Sequence, residues 1–323
     1  MRNASIIIPC FKRIDQTVKT IELLRASHRK GVDFDIEIIV ADSTPDDSLE
    51  KTLRQKFADK VLYTRPAKEG VAANKNQGAR IAKYPILIFC DSDMEVEPDS
   101  ILHILNALDT HTNAGMIGGQ VVWKGGEKDG QIDRPRSEDR MNIIDKTTYI
   151  EALYSRFIAT YKKVFENVGG YDEIAFNMRG EGSDLSIRYW RAGYPLVYSK
   201  EIKVHHVHEA SDSVALRVNH PEWGVAKDLL LLVYKYDMLE GDYPYFMETV
   251  HADFNTLGKE GYGRIIQGIG RHLDLVTRVK SHLDSYRATE KGVYDFKFLE
   301  VFSNQHFPEC IEKAEKLIHQ RIK

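Results

Sequence analysis

Cysteine is scarce in this chain: three residues in 323, at Cys10, Cys90 and Cys310. No two of them have a metal-type spacing, which excludes a cysteine-based zinc site. Cys10 and Cys90 end apolar runs, as buried thiols do in a reducing compartment. An excess of one charge is also missing. Lysine and arginine total 45 against 48 aspartates and glutamates, a formal net charge of −3 that gives nucleic acid no electrostatic hold. Long hydrophobic runs are absent as well. The run Leu229–Val233 has five residues, whereas a bilayer span needs about 20. The N-terminus enters the strand-like SIIIPC at once, without a signal-peptide pattern. Together these absences lead to the expectation of a soluble, cytoplasmic protein. Two phosphate-binding signatures are lacking too. No GxxxxGK[ST] occurs, and the GIG at 268–270 follows no strand and has no third glycine.

What is present is an alternation of strand-like and helix-like pieces over the first hundred residues. Ser5–Pro9, Ile36–Val40, Val61–Thr64 and Ile86–Phe89 are short apolar runs, the first of them ended by Pro9. Between them, residues 15–30, 46–58 and 70–82 carry apolar or small residues at helical spacing, and a further helix is expected over Pro98–Leu108. Continuous apolar strands alternating with helices imply an α/β fold, with a mostly parallel sheet covered on both faces. Ligands bind such sheets beyond the carboxyl ends of the strands. Asp42, Asp91 and the Pro9–Arg13 turn all fall there. The charged, glycine-rich stretch 124–140 reads as an exposed loop, strand-like character returns near 141–150, and strands and helices are expected from there to about 200. Beyond Pro221 the pattern is mostly helical, over Val225–Met238, Arg264–Ala288 and Pro308–Ile322. The expected division is therefore 1–215, with halves of about 1–100 and 101–215, followed by a helical region 216–323. That region has three open uses: covering the first domain, forming a homo-oligomer interface, or making peripheral membrane contact.

Three constellations can carry chemistry. The first is Asp91-Ser92-Asp93, a DxD directly after the fourth strand. Two carboxylates at a buried strand end repel each other unless a cation lies between them. Asp91, Asp93, Glu95, Glu97 and Asp99 alternate as in a calcium loop, but Val96 and Leu102 stand where an EF-hand needs glycine and glutamate. A hard divalent ion shared with a ligand's phosphate oxygens remains. The second is GEGSDLSIRYWRAG at 180–193, where Glu181 and Asp184 cluster at a helix start expected near Ser183. They suit helix capping, and equally the acceptance of a proton from a substrate hydroxyl. The third is His205, His206 and His208, which lack the cysteine or HExxH partners of a zinc site. One imidazole completing a site at Asp93 is the economical use.

In this order the pieces resemble the GT-A glycosyltransferases of the large family-2 group. The matching stretches are SIIIPCFKR at 5–13, IIVADST at 38–44, GVAANKNQGA at 70–79, ILIFCDSD at 86–93, GGYDE at 169–173, GEGSDLSIRYWRAG at 180–193 and HHVHEAS at 205–211. The resemblance implies a GT-A, Rossmann-like fold. It implies transfer of a sugar from a nucleoside diphosphate donor, with a UDP-sugar favoured, to a glycan, lipid-linked or protein acceptor hydroxyl, usually with inversion. Nucleic acid is not among the implied partners. Mn2+ or Mg2+ is the implied cofactor, held by Asp93 and His206, with His208 as second choice. Pro9, Phe11 and Arg13 would line the nucleotide pocket, Asp42 would contact base or ribose, and Lys75 and Asn76 would border the nucleotide. Asp91 and Ser92 complete the metal-and-ribose motif. The family usually has Glu-Asp where this chain has Glu181-Gly182, and that aspartate is the usual base, so the role passes to Glu181 or Asp184. A retaining GT-A enzyme, a GDP-mannose-using transferase and a catalytically silent sugar-nucleotide or glycan-binding module are the alternatives.

Overall fold

The computed structural model describes residues 2–27, 33–126, 129–132, 142–144, 147–150, 152–178 and 180–207, together with Lys235 and His282. The expected C-terminal helices, most of the stretch 124–140 and the division at 215 lie outside the described residues, as does His208.

The four apolar runs form the parallel half of one sheet. Strand β1 (Ala4–Cys10) is buried along its whole length, as a central strand covered on both faces must be. It pairs in parallel with β2 (Ile36–Asp42) on one side and β4 (Ile86–Cys90) on the other, and β3 (Leu62–Thr64) adds to the edge of β2. The strand runs one residue past Pro9. Pairing with β4 has already ended at Ile7↔Phe89, while pairing with β2 continues to Cys10↔Asp42. The missing proline N–H therefore falls where the ladder towards β4 is finished.

Helices α1 (Ile14–Ser27), α2 (Ser48–Phe57) and α3 (Val71–Ile81) connect these strands. α1 buries Val18, Ile21 and Leu24, and α2 buries Leu49, Leu53 and Phe57, one apolar stripe each. α3 covers β1 with small residues instead. A Cβ on Gly78 would lie 2.4 Å from Ile7 Cγ2, so the close approach of helix to strand requires glycine there.

The second half of the sheet is mixed. It contains β5 (Met94–Val96), β6 (Met116–Lys124), β7 (Asn142–Ile144), β8 (Thr147–Tyr149), β9 (Phe157–Tyr161) and β10 (Leu196–Val207). Helix α4 (Ser100–Thr110) follows β5, and α5 (Lys162–Asn167) and α6 (Glu181–Arg191) lie between β9 and β10. The order across the sheet is β3-β2-β1-β4-β9-β6-β10-β8-β7, with β5 paired to β10. β9 is antiparallel to β4, which brings the chain before Phe157 alongside Cys90. β10 is parallel to β6, and a register shift between Ser199 and Lys203 lets its first part pair with β8 and its second with β5. Among the described residues no helix is long and apolar enough to cross a membrane.

The acidic alternation after Asp91 passes through β5 at Glu95, where the two-residue period of a strand applies, and ends at Asp99, the N-cap of α4. Met94 and Val96 point into the core, whereas Glu95 pairs with Lys19 and Lys124, and Glu97 lies 3.1 Å from Lys203 and 3.0 Å from His205. The beginning of the expected loop at 124–140 is also ordered, since Trp123 N–H donates to Gln131 O at 2.8 Å and the chain folds back on β6.

The entry to α3 depends on Gly70, whose φ is +140°. A Cβ there would come within 2.2 Å of the Asn177 amide, which accepts from Ala73 N–H and donates to Glu69 O. We expect Gly70→Ala to destabilise the chain by about 1–3 kcal/mol, read as a lower urea midpoint with unchanged slope.

Candidate active site

The strand ends converge on a cluster of charges. β4 ends at Cys90, and Asp91 N–H donates to Arg156 O at 2.8 Å, which fixes the start of the turn against the segment entering β9. Two residues on, Asp93 O accepts from Val207 N–H at 3.0 Å, which ties the other end to β10. The turn 91–93 is therefore held between two strands that lie apart in sequence. Thr20 Oγ adds bonds to Ser92 O at 3.0 Å and Met94 O at 2.8 Å.

Asp93 is buried, and its Oδ2 lies 3.2 Å from His206 Nε2 and in an ion pair with Arg13. His206 packs edge-on against Trp123 with ring centroids 4.6 Å apart. The guanidinium of Arg156 stacks over the same indole at 5.1 Å and over Tyr154 at 5.2 Å. His205 points the other way, to Glu97, because neighbours in a strand alternate faces. The structure thus separates the first two of the three histidines and brings one to Asp93.

Across the turn lies Lys75, with no exposure to solvent. Its ammonium donates to Ser155 O and Ser155 Oγ, both at 2.9 Å, and lies 3.3 Å from Asp91 Oδ1 and 3.5 Å from Glu181 Oε1. It also sits 5.4 Å from the Tyr171 ring centroid. Ser155 Oγ in turn donates to Glu181 Oε1 at 2.6 Å. Lys75, expected beside the nucleotide, is instead a buried link between the DxD turn and the first turn of α6. Burial, with the Glu181 charge beside it, pushes the Tyr171 phenol well above its ordinary value.

On the far side of β1, Asp42 Oδ1 accepts from Thr44 N–H at 2.8 Å and Thr44 Oγ at 2.6 Å, and Oδ2 accepts from Tyr63 O–H at 3.0 Å. Burial and that carboxylate raise the Tyr63 phenol. Thr44 Oγ also accepts Lys12 N–H at 2.8 Å, where Lys12 has φ +56°. This bond shapes the turn that carries Phe11 and Arg13, so the expected donor-side residues form one connected rim.

Two expected site residues have other employment. Asn76 Nδ2 donates to Tyr171 O at 2.8 Å and Glu173 Oε1 at 2.7 Å, and its Oδ1 accepts Tyr171 N–H at 2.9 Å. It holds the turn 169–173. Asp184 is completely buried, with Arg188 Nε and Nη2 at 2.9 and 2.7 Å and Lys235 Nζ at 2.7 Å. Against burial, which would raise it, Arg188 and Lys235 hold its carboxyl below the usual range. Gly182 packs on Ser155, and a Cβ there would lie 3.2–3.3 Å from Ser155 Oγ, Cβ and N. Ser155 and Arg156 are the site residues that sequence reasoning missed. Their only sequence signal is the polar break before the apolar run 157–159.

A family model for glycosyl transferase family 2 matches residues 5–169, just over half of the chain. The chain belongs to glycosyl transferase family 2. It is 32% identical over 123 residues to an uncharacterized glycosyltransferase, YfnE, of Bacillus subtilis (strain 168), an alignment covering 38% of this chain and 30% of that protein. Among solved structures, GalNAc-T7 with UDP, GalNAc and Mn2+ superposes with a TM-score of 0.55 at 16% identity, over 75% of this chain and 49% of that one. The mannosyltransferase PcManGT of Pyrobaculum calidifontis, in complex with GDP-Man and Mn2+, gives 0.52 at 12% identity, over 99% and 85%. These likenesses establish the GT-A fold. The chain spans less than a third of the length of YfnE and about half that of the GalNAc-T7 chain.

In this family 2 chain, removing the Lys75 charge leaves the Asp91 and Glu181 side chains, 26% and 14% exposed, without the buried cation between them. We expect Lys75→Met to cost about 1–3 kcal/mol of stability, the usual loss when buried polar partners are left without their donor. Chemical denaturation measures it, and a loss below about 1 kcal/mol would show the two carboxylates reaching water instead.

Proposed function

We propose that the chain transfers a sugar from a nucleoside diphosphate donor, with a UDP-sugar favoured, to an acceptor hydroxyl, with a divalent cation and inversion at the sugar carbon. The observation that carries this reading is the convergence of Asp93 Oδ2 and His206 Nε2, 3.2 Å apart, at the same turn whose Asp91 is joined through Lys75 to Glu181. A cation-binding pair and a carboxylate able to accept a proton thus share one rim.

The donor set fits a divalent ion held jointly with substrate. Among the described residues no group of three histidine, cysteine or acidic side chains converges. Asp93 and His206 would supply two ligands, and phosphate oxygens and water the rest, the usual pattern for such ions. An imidazole nitrogen in that set favours manganese over magnesium, which is held through oxygen. When bound, the ion neutralises charge on the diphosphate leaving group.

The protein's own side chains do the remaining work. Arg13 holds the Asp93 carboxylate beside His206. Thr44 fixes both Asp42 and the Lys12 backbone, so the rim that meets base and ribose stays in one conformation. Ser155 and Lys75 orient Glu181 from one side, which leaves its second carboxylate oxygen to take the proton of an acceptor hydroxyl.

The test is release of nucleoside diphosphate from UDP-, GDP- and dTDP-sugars with manganese, magnesium or EDTA. Turnover of one donor, lost in EDTA and lost in Asp93→Ala without unfolding, is the expected result. Full activity in Asp93→Ala would sink the metal assignment. Glu181→Gln should lower turnover by ~10²–10⁴-fold with little change in donor KM, as expected of a positioned base. Asp184→Asn should instead act mainly on stability.

The silent-module alternative draws on Gly182, the position at which the usual acid is missing. If that absence silenced the chain, Gly182→Asp would raise turnover. Because its Cβ would press on Ser155 and disturb the Ser155–Glu181 bond, the expected outcome is a fall of roughly 10-fold or more.

A further inference from the structure

Behind the first turn of α6 lies a second buried charge cluster that the proposed chemistry does not use. Lys235 is 2% exposed, and its ammonium donates to Asp172 Oδ2 at 2.8 Å and to Asp184 Oδ1 at 2.7 Å. Arg188 takes the other oxygen of Asp184 and donates from Nη1 to Val168 O at 2.6 Å. His282 Nε2 approaches both oxygens of Asp172, at 3.1 and 3.0 Å, from the rim of the cluster. The aromatic face of Phe176 closes one side, 5.4 Å from Lys235 Nζ.

Among the described residues, two carboxylates meet one guanidinium, the Lys235 ammonium and the His282 imidazole, and Lys235 is the group that touches both carboxylates. Both carboxylates belong to parts that carry the site. Asp184 is three residues after Glu181 in α6, on the next turn. Asp172 lies in the turn 169–173, which Asn76 grips from α3, one residue from Lys75. Lys235 itself lies well beyond residue 169, where the family match ends, and beyond the last recognisable motif at 205–211.

We propose that Lys235 is a positioning residue for the transfer reaction, a cation supplied from the C-terminal region that closes the buried Asp172–Asp184 pair and thereby holds Glu181 in register with Lys75 and Asp91. This rests on the role given to Glu181 above. Without Lys235, Asp184 keeps Arg188 and Asp172 keeps His282, but the ammonium that bridges the two carboxylates is gone, and α6 relieves their repulsion by moving its N-terminal turn. Against burial, which would raise it, Lys235 holds Asp172 below the usual carboxylate range, so the cluster stays charged at neutral pH. Lys235 then belongs to the catalytic unit rather than standing beside it.

The experiment compares the full chain with Lys235→Met, close in volume but neutral, and with Lys235→Arg. Hydrogen–deuterium exchange is followed in peptides covering 169–173 and 181–191, with β1 as the internal reference. Donor turnover gives kcat and KM separately. In Lys235→Met, exchange should rise ~10-fold or more in 169–173 and 181–191 and stay unchanged in β1. kcat should fall by ~10²-fold with donor KM within about twofold, and Lys235→Arg should recover most of both. If Lys235→Met does not fold, the double variant Asp172→Asn, Lys235→Met removes the repulsion, and recovery of most of kcat is expected in it; a folded double variant with the full ~10²-fold loss would overturn the proposal. A folded variant with kcat within roughly twofold of the parent and unchanged exchange over 181–191 would overturn the proposal. So would an equal rise in exchange in β1 and α6, which marks general destabilisation. Should the parent turn over no donor, the transfer reading fails, and the exchange arm alone decides whether Lys235 positions α6.

Discussion

A lysine ammonium with no exposure to solvent must be surrounded by groups that replace its water, or its burial costs several kcal/mol. Lys75 meets that demand with atoms from three separately folded pieces: Asp91 after β4, Ser155 before β9 and Glu181 at the start of α6. Each piece is fixed by satisfying the same cation, and their mutual geometry follows from it. The small residues of α3 belong to this requirement. Ala72, Ala73 and Gly78 let the helix lie close on β1, so the four-carbon stem of Lys75 can carry its charge to the strand ends. A bulkier helix would hold the ammonium short of Asp91.

The same constraint explains which parts of the site could be read from sequence. β1, β2, β4 and the helices between them announce themselves by apolar runs and helical spacing, and their parallel pairing puts Asp42 and Asp91 at one edge. Asp93 and His206 stood out because their residue types match a chemistry, and β5 lying antiparallel on β10 brings them together. The acids at 95, 97 and 99 looked like part of the same signal because a strand and a liganding loop share a two-residue alternation. Only the pairing of Glu95 with Lys19 and Lys124, and of Glu97 with Lys203 and His205, separates the two.

The rest was illegible for a physical reason, which is distance along the chain. Ser155 reaches Lys75 across 80 residues, Glu181 reaches it across 106, and Lys235 reaches Asp184 across 51. No local period encodes such contacts. β9 falls in the region to about 200 where strands and helices were expected, whereas β6, with its Gly118–Gly119 pair, was missed. A Cβ on Gly119 would lie 2.2 Å from Ile202 O, so this glycine marks the close passage of β10 rather than a turn. The tie between Asn76 and the turn at 169–173 is hidden for the same reason, since it reaches across 95 residues.

Glu181 and Asp184 show how a short helix divides labour between two acids that sequence alone treats as equivalent. They are three residues apart, which puts them on neighbouring turns of α6 but at different depths. Asp184 faces inward, where Arg188 and Lys235 saturate both oxygens, and a carboxylate so engaged cannot take a proton without leaving two buried cations unbalanced. Glu181 faces the strand ends, keeps 14% of its side chain exposed, and has Ser155 and Lys75 on one oxygen only. Loss of the usual acid at 182 is consistent with this division. With Ser155 packed against a bare Cα at Gly182, the hydroxyl comes to 2.6 Å from Glu181 and orients it. The hydrogen bond that an acid at 182 would disturb is the one that orients Glu181, the proposed base.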